Sequence, residues 1–314
     1  MSYRGRFAPS PTGDLHLGSV ATAVVAWLRA RAAGGALVLR VEDIDTPRVV
    51  AGSEARQCAD LHWLRLDWDE GPDVGGPHAP YRQSERTTLY EAAIATLAAQ
   101  GLVYLCDCSR REISSEASAP HAGDEGPRYP GTCRPHGMRP RAWKRPPAVR
   151  VALPDRELVI DDAFQGVLRQ NVAQAVGDFV LKRGDGIYAY QLAVVVDDLA
   201  MGITEVVRGA DLLGSAPRQA LLAELLGGRA PAFAHVPLVV DADGARLEKR
   251  NPRHTLHGLR VAGVPAAAVL ARLVRGLGIV AADGAAGVTL DGVRATFDPA
   301  VLRGRRELRL GGER

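Results

Sequence analysis

Apolar positions in this chain recur in two rhythms, and the first switch between them comes close to the start. An apolar beginning at Phe7 and Ala8 is broken by Ser10, Pro11 and Gly13, and from Ser19 the residues Val20, Val24, Trp27 and Leu28 recur at helical spacing until Gly34 and Gly35. That pattern predicts a strand, a turn and a helix starting between His16 and Ser19. The first N–H groups of a helix have no partner inside it and sit at the positive end of its dipole, so an anion is stabilised there, and a glycine lets the ligand approach. The stretch 6–19 is therefore a candidate phosphate-binding turn. The plainer alternative is an ordinary strand, turn and capped helix.

The alternation continues. Residues 36–43 read as a buried strand ending in acids, with Glu42 and Asp45 where a parallel strand opens onto a site. Residues 53–64 read as a helix, and residues 85–100 as another, capped by Ser84 and stopped by Gly101. From 106 to 147 the composition shifts to Pro, Arg, Gly and Ser with little periodicity, which predicts an inserted, loop-heavy subdomain. Strands return at 149–153 and 178–182, and the apolar run 187–197 is expected to resume the second half of the sheet. Residues 204–209 read as a strand, 212–226 as a helix ended by Gly227 and Gly228, and 237–241 as a last apolar strand before a polar loop. A helix at 264–277 precedes a basic tail. The fold class is α/β: a Rossmann-like parallel sheet in two halves (1–105 and 177–241), an insert (106–176) and a short helical C-terminal region (242–314).

Composition narrows the class without naming a chemistry. The chain has 314 residues, 46% of them hydrophobic, and a net charge of +3, enough to bury a sizeable core. No apolar run approaches a membrane span and no signal-peptide pattern opens the chain, so the expected compartment is cytoplasmic and no membrane partner is expected. Three of the four cysteines crowd between 106 and 133, which in a reducing compartment suggests a metal site before a disulfide framework. Cys106, Cys108 and Cys133 offer three soft ligands suited to tetrahedral zinc. By spacing alone the fourth would be His136, with His121 behind it. Cys58, followed by apolar Leu61 and Leu64, reads as core.

The letters of the first turn are more specific than its shape. Pro9-Ser-Pro-Thr-Gly-Asp-Leu-His-Leu-Gly-Ser19 resembles the first nucleotide-binding motif of class I aminoacyl-tRNA synthetases, and Arg6-Phe-Ala-Pro-Ser10 resembles its glutamyl branch. The resemblance implies that the α-carboxylate of an amino acid attacks the α-phosphate of Mg2+-bound ATP, with His16 donating to phosphate oxygens, Gly18 leaving room for adenosine and Ser19 beside them. A second, lysine-bearing loop of that branch is matched by Ala245-Arg-Leu-Glu-Lys-Arg-Asn251, which implies ATP contacts from Arg246, Leu247 and Lys249; Arg246 stands where the family has lysine and Glu248 where it has serine. The chain holds only three lysines, Lys144, Lys182 and Lys249, so a lysine at this point is informative. His16, Gly18 and Lys249 are the implied catalytic positions.

The same resemblance places glutamate against Arg6, Phe7, Ala8, Pro9 and Ser10, with Glu42 on the α-ammonium and Tyr190 and Arg208 completing the site. A side-chain carboxylate is well matched by a planar arginine donor. It also nominates Tyr129, in Tyr129-Pro-Gly-Thr-Cys133, as the fourth ligand of one structural zinc with Cys106, Cys108 and Cys133. Because 63 residues follow Asn251 in a chain of 314, too few for a helical anticodon-binding domain, the resemblance is closest to glutamyl-queuosine tRNA synthetases. It implies a monomeric ligase that activates L-glutamate without tRNA and transfers it to the queuosine of tRNA for aspartate. Two alternatives stand beside it: charging of a tRNA 3′ end with a separate anticodon-binding partner, and a non-catalytic RNA-binding paralogue.

Overall fold

A computed structural model describes residues 2–109, 111–113, 128–240, 244, 252–279 and 287–309. The first turn forms as its spacing predicts: strand β1 (Arg4–Phe7) leads to helix α1 (Leu17–Ala32) and strand β2 (Ala36–Leu39). Helices α2 (Ser53–Trp63) and α3 (Thr87–Ala99) follow. Ser84 does not cap α3, because its N–H and hydroxyl are both held by the Asp43 carboxylate, at 2.8 and 2.6 Å.

Strands β3 (Val103–Cys106), β4 (Ala148–Val151) and, later, β7 (Val180–Lys182) form a small antiparallel sheet at the two ends of the loop-rich segment. Strands β5 (Glu157–Asp162) and β6 (Gly166–Asn171), with helix α4 (Val172–Ala175) after them, also fall before residue 176, yet β5 and β6 join the main sheet.

The run 187–197 does not resume the sheet. It forms helix α5 (Tyr190–Ala200). Its residues Leu192 through Asp198 are all buried, so the segment lacks the polar stripe that distinguishes a helix from a buried strand by periodicity. Strand β8 (Glu205–Gly209), helix α6 (Ala216–Leu225) and strand β9 (Ala232–Val236) come next. Strand β10 (Leu238–Val240) pairs with β11 (Glu307–Arg309), within the expected basic tail, and stays outside the main sheet. Helices α7 (Leu256–Val261), α8 (Ala266–Leu277) and α9 (Leu290–Thr296) complete the described residues.

The main sheet has the order β2-β1-β8-β9-β5-β6, and every pair is parallel except β5 with β6. From the adjacent pair β1 and β8 the chain departs to opposite sides, to β2 and to β9. The carboxyl ends of such a pair are where open α/β sheets bind ligands. Strand side chains alternate between faces. Phe7, Leu37, Leu39, Val207 and Ala234 pack with α1, whereas Val38, Val206 and Phe233 pack with Ala216 and Ala220 of α6. Arg6, Arg40, Arg208 and His235 have the parity of this second set. Four polar residues thus enter a buried face at its carboxyl edge. Among the described residues no helix is long and apolar enough to cross a membrane.

Candidate active site

The turn between β1 and α1 is held from outside. Gly13 has φ +138°, a backbone state that favours glycine. Ser53 at the start of α2 accepts the Gly13 N–H and donates to the Gly13 carbonyl, at 3.1 and 2.6 Å. Gln57 reaches the carbonyls of Ser10 and Gly13, and the Pro9 carbonyl accepts the Glu42 N–H at 3.0 Å. Phe7 is a core side chain, whose carbonyl takes the Arg40 N–H. Ala8 and Pro9 are half-buried and Ser10 is exposed.

His16 is the N-cap of α1: its Nδ1 accepts the Ser19 N–H at 3.1 Å and its Nε2 lies 2.9 Å from the Ser19 hydroxyl. A Cβ on Gly18 would sit 3.0 Å from both Cε1 and Nδ1 of that ring. Gly18 therefore makes space for the histidine.

The expected glutamate residues fall into two linked groups. Arg208 on β8 places Nη1 3.4 Å from the Tyr190 hydroxyl at the start of α5. Burial holds its guanidinium below its ordinary value; arginine nevertheless stays charged. Arg6, on the neighbouring strand, donates to the Val207 carbonyl at 3.0 Å and lies 3.6 Å from Asp198. Asp198 also accepts from Arg40 at 2.6 Å, and Arg40 donates to Glu42 at 3.0 Å. Burial pushes the Glu42 carboxyl above the usual glutamate range, against the pull of Arg40 and Arg6. Asp197 is fully buried and takes Arg86, Gln83 and Tyr90 at 2.6, 2.9 and 2.9 Å. Unpaired buried charges are strongly unfavourable, so these ion pairs hold the first turn, β2 and α5 in one arrangement.

Arg40, Asp197, Asp198, Asp162 and His235 join the site in the fold without being among the residues expected from the sequence. A signal was present: a charge set inside an apolar strand or closing an apolar helix run is costly unless paired. Arg246, Leu247 and Lys249 lie outside the described residues, as does His121.

In the insert, Cys106, Cys108 and Cys133 place their sulfurs within 4.8 Å of one another. The Tyr129 hydroxyl stands 3.3 Å from Cys106 Sγ and 3.8 Å from Cys108 Sγ, and Cys108 and Cys133 are 3.6 Å apart. Zinc bonds of about 2.3 Å to sulfur and 2.0 Å to oxygen give tetrahedral edges of about 3.5 to 3.8 Å, close to these three separations, so the donor set is compatible with a tetrahedral metal. His136 is exposed and outside the cluster. The Arg150 guanidinium lies 3.9 Å from the Tyr129 ring centroid, and Arg141 donates to Cys133 Sγ at 3.3 Å. Positive charge beside thiolates offsets the charge of a site with three cysteines.

Comparison with known proteins bears on the family. Residues 2–307 match the family model described as tRNA synthetases class I (E and Q), catalytic domain. A glutamyl-Q tRNA(Asp) synthetase of Symbiobacterium thermophilum is 53% identical over 281 residues, covering 88% of this chain and 87% of its own. One from Nitratidesulfovibrio vulgaris is 50% identical with the same coverage. A glutamate tRNA ligase from Elizabethkingia meningosepticum, solved in complex with its amino acid, superposes with TM-score 0.81 at 30% identity, covering 99% of this chain and 67% of that one. The chain belongs to the class I (E and Q) tRNA synthetases, in the group of glutamyl-Q tRNA(Asp) synthetases.

Proposed function

We propose that this chain, as a monomer, activates L-glutamate with ATP and Mg2+ in the absence of tRNA and transfers the glutamyl group to queuosine at the wobble position of tRNA for aspartate. The observation that carries the reading is the meeting of Arg6, Arg208, Tyr190 and Glu42 at the carboxyl ends of β1, β2 and β8, beside the turn capped by His16. The names of the relatives supply the acceptor.

Chemistry of this kind needs orientation and charge stabilisation, not a protein nucleophile. The glutamate α-carboxylate attacks the ATP α-phosphorus, the bond to the β-phosphate oxygen breaks, and pyrophosphate leaves. Glu42 holds the α-ammonium. Arg208 and Tyr190 face the side-chain carboxylate: the Tyr190 oxygen accepts from Arg208, so its own proton points to an acceptor. A carboxylate satisfies both donors, whereas a carboxamide turns an NH2 toward one of them. His16, Gly18, Ser19, Arg246, Leu247 and Lys249 bind the nucleotide. A queuosine hydroxyl then attacks the glutamyl carbonyl, forming an ester and releasing AMP. Cys106, Cys108, Tyr129 and Cys133 hold a structural zinc that staples the insert.

Exchange of labelled pyrophosphate into ATP, dependent on glutamate and independent of tRNA, tests the first step. Labelled glutamate offered with tRNA containing or lacking queuosine tests the second. No exchange rejects the reading, and equal labelling of both tRNAs rejects the acceptor.

A further inference from the structure

Arg208 is held less by the ligand side of its pocket than by what lies behind it. In the β8–β9 register Arg208 stands directly opposite His235, and Asp162 of β5 is paired with Phe233 on the same strand. His235 is fully buried. Its Nε2 accepts the Arg208 Nε–H at 2.9 Å, and its Nδ1 lies 2.5 Å from Asp162 Oδ2. Beneath the guanidinium, the Phe233 ring centroid lies 5.4 Å from its carbon.

The direction of each hydrogen bond follows from the chemistry of the partners. Arg208 can only donate, so Nε2 must carry a lone pair. The imidazole proton therefore sits on Nδ1 and points to Asp162, which as a carboxylate can only accept. The other Asp162 oxygen accepts three backbone N–H groups, from Phe164, Gln165 and His235, at 3.0, 2.9 and 3.1 Å. Burial lowers His235 below its ordinary value, with Arg208 adding to the effect and Asp162 opposing it, the same direction as the neutral imidazole that these hydrogen bonds require. On its far side Arg208 is fixed by Gln219 Oε1 at 2.6 Å and by the Leu212 carbonyl at 3.2 Å. With Tyr190 counted, four of the five guanidinium donors have partners among the described residues, and the fifth is available to a ligand.

We infer that Asp162 and His235 are positioning residues for substrate selection: Asp162 fixes the His235 tautomer, and the resulting Nε2 acceptor sets the rotation of Arg208 that aims its remaining donor and the Tyr190 hydroxyl at a side-chain carboxylate. Neither residue touches substrate. The inference rests on the reading of Arg208 as the glutamate-binding arginine.

Three variants separate positioning from bulk stability. His235→Phe keeps a buried ring without the acceptor, and His235→Gln returns an acceptor near the Nε2 position. In Asp162→Asn the oxygen stays with the three backbone N–H groups, so the amide NH2 faces Nδ1 and forces the imidazole proton onto Nε2, against Arg208. In pyrophosphate exchange, His235→Phe and Asp162→Asn should raise the KM for glutamate about 10- to 100-fold, the range for losing a hydrogen bond to a charged group. The KM for ATP should stay within about twofold, the kcat/KM preference for glutamate over glutamine should fall, and His235→Gln should recover part of the loss.

Unchanged glutamate KM in both variants overturns the inference, and so does a parallel rise for ATP and glutamate, which marks general damage. Thermal melting shows whether each variant is folded. If the wild-type chain shows no exchange, the proposed function has failed, and calorimetric glutamate binding by the same variants carries the comparison.

Discussion

Replacing Arg40 with methionine isolates how much of this fold depends on one buried guanidinium. Arg40 has no exposed surface, and it contacts Asp198 at 2.6 Å, Glu42 at 3.0 Å and Asp197 at 3.9 Å. Without it Asp197 keeps Arg86, Gln83 and Tyr90. Among the described residues Asp198 retains Arg6 alone, at 3.6 Å, as an ion-pair partner, and Glu42 loses the hydrogen bond that opposes its burial. Removing one partner of a buried pair costs about 3–5 kcal/mol, and with two buried carboxylates left short of their partner at once the upper part of that range is expected. Such a loss lowers the melting temperature by on the order of 10 °C. Urea unfolding followed by circular dichroism measures it, with Arg40→Lys and the double variant Arg40→Met/Asp198→Asn alongside. The lysine variant should be intermediate, since one ammonium keeps the charge but not the two-sided fork. The double variant should be no less stable than Arg40→Met alone, because the stranded carboxylate is gone. A cost below about 1 kcal/mol for Arg40→Met, or fully additive losses in the double variant, would refute the argument that this charge holds β2 to α5.

Three further outcomes follow from the site. Gly18→Ala should leave stability nearly unchanged, because a gain in helix propensity of up to about 1 kcal/mol offsets a disturbed N-cap of similar size; glutamate-dependent exchange should nevertheless drop as the added carbon at 3.0 Å moves the His16 ring, and normal exchange would show that the ring position is immaterial. Glu42 must be ionised to hold an ammonium, and burial raises its pKa, so the KM for glutamate should rise as pH falls from 7 toward 5, a window in which free carboxyls stay mostly ionised. Glu42→Gln should have a higher KM at pH 7 and a flat profile; a flat wild-type profile would refute the assignment. Elemental analysis should find one zinc per chain, lowered by about 10-fold or more in affinity by Tyr129→Phe and unaffected by His136→Ala, and the reverse ranking would return the fourth ligand to histidine.

Legibility in the sequence followed whether a signal was local. The first turn was readable because Pro11, Gly13 and the onset of period 3.6 at Val20 all act within neighbouring residues, and α1 begins at Leu17 as that spacing required. The stretch from Tyr190 carries no periodicity that separates helix from strand, because α5 is buried along most of its length. Strand β9 gave too little pattern in five residues, Ala-Phe-Ala-His-Val. Strand β10 matched a strand in composition but found its partner in β11, near the end of the described chain, a pairing with no local trace. Tyr129 illustrates the opposite limit: linear spacing favoured His136, while the fold brings the phenol among the sulfurs and leaves the imidazole exposed.

What the sequence hid most completely was the division of labour among buried charges. Arg6 and Arg208 were visible as candidates through their motifs, yet an arginine on a strand has many rotamers, and long side chains lose up to about 2 kcal/mol of rotamer entropy on being fixed. Here that freedom is removed before any ligand arrives. Arg208 is held by His235, Gln219 and the Leu212 carbonyl, and Arg6 by the Val207 carbonyl. A ligand therefore meets donors already oriented, and the cost of ordering them falls on folding instead of on binding. The side chains that perform this ordering for Arg208 come from β9 and α6, with Asp162 of β5 behind His235, outside the short motifs. On the proposed reading, short motifs carry the residues that face a substrate, and the residues that aim them are distributed wherever the sheet order brings a strand alongside.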